Sequence, residues 1–215
     1  MKSISWLLLC ALVASADDKR LVEINEGFDG ALPTAWQWIR EDANEWRIQD
    51  GKLVVRSQPG RIWGGNDGKN VLLVAPVQGG SVDARISVAH QPKELYEQAG
   101  LLWYVDDDNF VKLISEHIEG KMYVVVAREE RGKGKVIGKI EVPTSDLQLR
   151  LKVEGQTVSG QWRVKDQDDW RNAGTCSFEV DGQRRFGIFT QNGPADVTRW
   201  VSFDEFVVSR AHPAP

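Results

Sequence analysis

Trp103, Lys112, Glu116 and Tyr123 fall within one stretch, residues 98–128, whose pattern reads as three consecutive strands. A turn at Asp107-Asp108 places Trp103 opposite Lys112, Leu101 opposite Ile114 and Ala99 opposite Glu116. A second turn, at Glu119-Gly120, places Glu116 opposite Tyr123 and Lys112 opposite Ala127. Aromatic rings then share a strand face with an ammonium and a carboxylate. Charges of that kind cannot lie in a core without partners, so the face should point to solvent or a groove. Its chemistry suits a sugar. Pyranose rings present apolar C–H patches that stack on Trp or Tyr, and their hydroxyls pair with Lys, Glu, Gln or Arg. Trp63, on a loop flanked by glycine, would add a platform at the rim. The other face collects Leu102, Tyr104, Val111, Leu113, Ser115, Met122, Val124 and Val126, and reads as core. A slip of one residue in register would exchange the two faces.

Catalysis is less well provided for. Glycoside hydrolysis uses two carboxylates, about 5–5.5 Å apart for retention or about 6.5–9.5 Å for inversion. Glu116 is the best single acid, but its own strand brings no second carboxylate to that face. Asp204 and Glu205 are adjacent on a strand and so point to opposite faces. No catalytic residue is assigned. The run Asp106-Asp107-Asp108-Asn109 lacks the glycine and downstream glutamate of a calcium loop and reads as a turn. No cofactor is expected; a structural calcium near the first and last strands, around Asp29 or Asp204, is an alternative that the spacing does not support. Arg131-Gly132-Lys133-Gly134-Lys135 reads as an exposed hairpin tip. Phosphate-binding glycine loops, nucleophile elbows and dinucleotide fingerprints are missing from the sequence.

The elements that must position these groups are strands. Val82, Ala84, Ile86 and Val88 alternate with polar residues, as do Leu147, Leu149, Leu151 and Val153, and then Val158, Gly160, Trp162 and Val164. A period of two with one apolar face is the mark of a half-buried strand. Turn pairs punctuate the chain, among them Asp50-Gly51, Gly79-Gly80, Glu119-Gly120 and Glu154-Gly155. A dozen or more such strands imply an all-β, two-sheet antiparallel sandwich. No linker interrupts residues 21–208, so residues 17–215 read as one domain with a frayed tail from Ala211.

Composition agrees. The 215 residues are 41% hydrophobic and 27% charged, the profile of a globular chain. Lys2, the apolar run Ile4 to Ala14 and the small residues Ala14-Ser15-Ala16 form a signal peptide over residues 1–16, with cleavage before Asp17. The expected location is secreted or periplasmic, with no membrane attachment after cleavage. The remaining chain is mildly acidic and lacks the basic footprint of a nucleic-acid binder. Cys176 is then a lone thiol and reads as a small buried hydrophobe.

The segment Gln98 to Leu113 resembles a signature of concanavalin A-like sandwich domains. It is similar to those at the C-terminus of glycoside hydrolase family 43 β-xylosidases and to their stand-alone, uncharacterised bacterial relatives. Gly187 to Pro194 and Trp200 to Phe206 resemble the closing strands of those domains; Phe28-Asp29, Trp36 to Ile39, Trp46, Gly51-Lys52-Leu53 and Trp63 are earlier points of similarity. The resemblance covers residues 28–208. It implies a jelly roll with a concave sheet, and it implies no catalysis: in those enzymes the catalytic carboxylates lie on a separate five-bladed propeller, which this sequence does not contain. The expectation is a secreted, non-catalytic carbohydrate-recognition module. Trp63, Trp103, Lys112, Glu116 and Tyr123 would bind a glycan on the concave face. Two alternatives stand beside it: a glycoside hydrolase or lyase using Glu116, and a structural module that assembles with another exported protein.

Overall fold

Fifteen strands and no helix make up the described part of the chain, residues 20–76, 81–164 and 169–211 of a computed structural model. The expected signal peptide, the Gly79-Gly80 turn and the tail beyond Ala211 lie outside the described residues. One sheet contains β1 (Arg20–Glu26), β3 (Trp46–Ile48), β4 (Leu53–Arg56), β6 (Ser81–Ala89), β11 (Leu147–Glu154), β12 (Thr157–Val164), β13 (Arg171–Ser177) and β15 (Trp200–Ala211). Its order is β13-β12-β11-β6-β15-β4-β3, with β1 also paired to β15. The other sheet, in the order β10-β9-β8-β7-β14-β5-β2, is built from β2 (Gln37–Ile39), β5 (Val71–Leu73), β7 (Gln98–Asp106), β8 (Asn109–Ile118), β9 (Lys121–Glu130), β10 (Lys133–Val142) and β14 (Arg185–Gln191).

The core between the sheets forms as the alternation requires. Val82, Ala84, Ile86 and Val88 of β6 and Leu147, Leu149, Leu151 and Val153 of β11 are all buried in it. From the facing sheet come Ala99, Leu101, Val111, Leu113, Val124 and Val126. Cys176 is half-buried and packs against the edge of this core. β15 changes partner along its length: Trp200–Phe203 pair with β4, and Phe206–Ala211 with β1. The change falls at an irregularity between Asp204 and Val207, where Glu205 has a positive φ of 52°.

Three hairpins have two-residue turns with both φ angles positive: Asp50-Gly51, Glu119-Gly120 and Arg131-Gly132. That handedness matches the strands' own twist, so the strands leave each turn in simple register, which β9 and β10 keep as far as a shift between Val136 and Gly138. β8 and β9 accordingly pair Glu116 with Tyr123 and Lys112 with Ala127. Asp107 and Asp108 also form the β7–β8 turn, but neither has positive φ. A turn of that hand splays the strands unless a bulge compensates. The register shifts between Tyr104 and Asp106, and β7 and β8 pair Trp103 with Val111, Leu102 with Lys112 and Gln98 with Glu116. The expected pairing of Trp103 with Lys112 is therefore corrected by one residue. Trp103 turns into the core, where its ring stands 4.7 Å from that of Phe186, and Leu102 and Tyr104 turn outward.

Candidate functional site

The outer face of the seven-stranded sheet carries a second apolar cluster, including Leu73, Leu102, Tyr104, Phe110, Ile114, Val125, Ala127 and Phe189. Part of it is roofed by the loop between β4 and β5. Ile62 plugs the loop into the cluster and is fully buried. Two side chains of the sheet hold the loop's backbone: Ile62 N–H donates to Gln191 Oε1 (2.9 Å), and Gly64 N–H donates to Glu129 Oε2 (3.1 Å). Gly60, with φ of 103°, begins the loop; a Cβ there would come within 2.7 Å of the Asp67 carbonyl. Trp63 is carried over β10. A Cβ on Gly134 would lie 2.5 Å from its indole.

What the roof leaves open is a groove of about 430 Å³, in the size range of small-ligand sites. Its floor holds a polar chain in an otherwise apolar surface. Lys112 Nζ donates to Gln98 Oε1 (2.9 Å), and Gln191 Nε2 donates to the same oxygen (3.1 Å). Gln98 Nε2 donates to Glu116 Oε1. All four side chains are buried. Lys112 also lies under the Trp63 ring, with Nζ 4.6 Å from its centroid. A desolvated cation gains about 2 kcal/mol or more over an indole face, which helps explain a lysine this deep. Burial pushes the Lys112 ammonium down to about 8, while Glu116 and Glu129 pull it back up. Burial raises the Glu116 carboxyl above its ordinary value, opposed by Lys112, the Gln98 bond and Lys139. Glu129 is raised for the same reason, opposed by the Gly64 N–H and Lys112.

Of the expected residues, the structure brings Trp63, Lys112 and Glu116 to one groove. Tyr123 stands beside it under Lys139, whose Nζ is 4.2 Å from the ring centroid. Trp103 is on the opposite face of the sheet. Sequence reasoning missed Arg61, Tyr96, Lys139 and Asn192, which line the walls, and the amides Gln98 and Gln191 on the floor. Gln98 and Gln191 are paired across β7 and β14, so distant segments meet. Tyr96 had a sequence signal: Leu95-Tyr96 is an apolar pair inside the polar loop before β7, and both are about half exposed. Tyr96 has a φ of 63°, uncommon for a bulky residue. Its N–H donates to the His117 carbonyl (2.8 Å), and its own carbonyl accepts from Asn192 Nδ2 (2.9 Å). The ring is held where the groove adjoins a second depression of about 670 Å³, which it shares with Arg61 and Asn192.

The acidic turn is committed to the fold. Asp107 takes a two-pronged ion pair from Arg40 (2.6 and 3.0 Å) and a bond from the Tyr104 hydroxyl (2.9 Å). Asp106 Oδ1 accepts from Asp108 N–H and Asn109 Nδ2. Asp204 caps the neighbouring Glu205 N–H. Among the described residues, no group of three or more His, Cys, Asp or Glu gathers as a metal set.

Two antiparallel sheets packed face to face, with a groove on the outer face of one, define a β-sandwich. The chain belongs to the family of beta xylosidase C-terminal concanavalin A-like domains, whose sequence model matches residues 25–209. Among solved structures it is similar to the GH43 BlXynB protein of Bacillus licheniformis, with a TM-score of 0.78 and 20% identity over 87% of this chain and 39% of that one. A xylan beta-1,4-xylosidase from Bacillus halodurans is similar too, with a TM-score of 0.76 and 17% identity over 86% of this chain and 39% of that one. A functionally unknown protein from Saccharomyces cerevisiae has a TM-score of 0.69 and 19% identity over 83% of this chain and 98% of that one. The chain thus spans well under half of either bacterial protein. At these identities the likeness shows the fold. A comparison with curated proteins finds no match.

Proposed function

We propose that this chain is an exported, non-catalytic carbohydrate-recognition domain that binds a glycan in the groove on the outer face of the seven-stranded sheet. The observation that carries the reading is the pairing of aromatic rings with buried hydrogen-bonding groups in one groove: Trp63 and Tyr96 at the walls, Lys112, Gln98 and Glu116 on the floor. Stacking needs flat apolar faces at the wall, and hydroxyl recognition needs donors and acceptors fixed before the ligand arrives. Glu116 Oε1 is held by Gln98, and among the described residues Oε2 accepts no hydrogen bond, so it is free to take a hydroxyl. Membership in a family found on β-xylosidases supports a glycan as the ligand. The second depression beyond Tyr96 supports a chain of sugars over a single ring.

The test is binding of the protein to an array of neutral and acidic polysaccharides. Selective retention is expected. Trp63→Ala should weaken it at least tenfold while the melting temperature moves by only a few degrees. No retention on any glycan, or retention unchanged in Trp63→Ala, would overturn the reading. Release of new reducing ends, abolished by Glu116→Gln, would replace recognition with hydrolysis.

A further inference from the structure

Charge in the groove is distributed against the trend of the whole chain. The protein has a formal net charge of −4, yet three cations, Arg61, Lys112 and Lys139, line the groove with one carboxylate, Glu116. Lys112 is already balanced at the floor, where both Glu116 and Glu129 stabilise its charge. Arg61 and Lys139 are held less closely, although Lys139 acts on Glu116 across the groove. Both are exposed, both stand at the walls, and among the described residues neither has a carboxylate within ion-pair distance. Each is nevertheless placed. The Arg61 side chain lies along Gly65, where a Cβ would come within 3.3 Å of its Cγ and 3.4 Å of its Nε. The Lys139 ammonium sits over the Tyr123 ring. The loop and the edge strand β10 thus deliver two cations, neither in an ion pair among the described residues, to the walls of a groove whose floor carries its own counter-charges.

We infer that the ligand is an acidic glycan, in which a carboxylate-bearing sugar of the uronic acid class is held by Arg61 and Lys139 at the wall while its ring lies on Trp63 or Tyr96. This rests on the glycan reading above and names the sugar class. A guanidinium matches a carboxylate in a planar, two-pronged contact, and an ammonium adds a point charge. The repulsion expected from Glu116 is relieved, because its charge is shared with Lys112, the Gln98 amide and, across the groove, Lys139.

Matched glycans separate this inference from its foundation. The array carries uronic-acid polysaccharides, the same polysaccharides with their carboxyl groups reduced to alcohols, and neutral xylan. The acidic forms should bind at least tenfold tighter than the reduced ones, and binding should weaken as salt is raised from 50 to 500 mM (about a threefold shortening of the screening length). Arg61→Gln and Lys139→Gln should each cost the acidic form severalfold more than they cost the reduced form, so that the ratio between the two falls toward one. Both lie at exposed positions, so folding should survive, and an unchanged melting temperature checks it. Equal binding of acidic and reduced forms, or acidic binding indifferent to both substitutions, sinks the acidic-sugar inference and leaves glycan recognition standing. Failure of every glycan to bind sinks both.

Discussion

Two tryptophans show how one residue type takes two roles by position alone. Trp63 is half-buried on a loop with its face over a lysine; Trp103 is 5% exposed between the sheets, against Phe186. Removing an indole from a close-packed interior leaves a cavity that neighbouring strands cannot fill. Trp103→Ala should therefore cost about 3–5 kcal/mol, the range for large aromatic truncations in a core. Urea denaturation at neutral pH measures it. If Trp103→Ala kept its stability and lost glycan binding, the placement of this ring in the core would be wrong. Lys112 makes a related point. An ammonium with only 3% exposure survives because Gln98, the Trp63 face and two carboxylates surround it. Its depth argues that the groove floor is a fixed polar platform.

Among the elements, the β9–β10 hairpin sets the position of the wall. Gly134 leaves the space in which the Trp63 indole rests, and any side chain there must displace the ring. Gly134→Val should lift Trp63 off β10, reduce glycan affinity about tenfold, and lower the melting temperature by a few degrees as the Lys112 contact with the indole is lost, valine itself suiting a strand. A variant that bound normally would mean that the indole contributes little. The same hairpins show what can be read from the chain. Glu119-Gly120 is a residue pair that takes positive φ, so the β8–β9 register and the pairing of Glu116 with Tyr123 are legible in the sequence. Asp107-Asp108 marks the next turn at the right place but gives no sign of its hand, and the bulge follows from the hand. The stretch Leu101-Leu102-Trp103-Tyr104 is apolar on both faces, so hydrophobic alternation does not say which way Trp103 points. The walls of the groove are less legible still. Arg61, Tyr96, Lys139 and Asn192 come from separate loops and an edge strand, and only the sheet topology brings them together.

At the scale of the whole molecule, the sandwich is two sheets held by an apolar core, and polar ties across that core are few among the described residues. His90, just past the end of β6 in one sheet, shares a 2.9 Å hydrogen bond between its Nε2 and Ser115 Oγ of β8 in the other. The other ring nitrogen, Nδ1, has no hydrogen-bond partner and is buried. Burial pushes the imidazole down from an ordinary 6.5 to about 4. A base whose folded-state value lies below its unfolded one contributes stability that is present above pH 6.5 and lost as pH falls through about 4. The unfolded chain binds the proton first, and in the folded chain the imidazolium would carry a proton on each ring nitrogen, the one on buried Nδ1 facing no acceptor. A shift of this size corresponds to on the order of 3 kcal/mol. Wild type should therefore lose about that much more stability than His90→Gln between pH 7 and pH 3.5, because carboxylate contributions are common to both proteins and cancel in the difference. Parallel urea titrations across that range measure it. Curves that fall in parallel would show that this cross-sheet histidine carries no acid sensitivity and that the sandwich loosens in acid through its carboxylates alone.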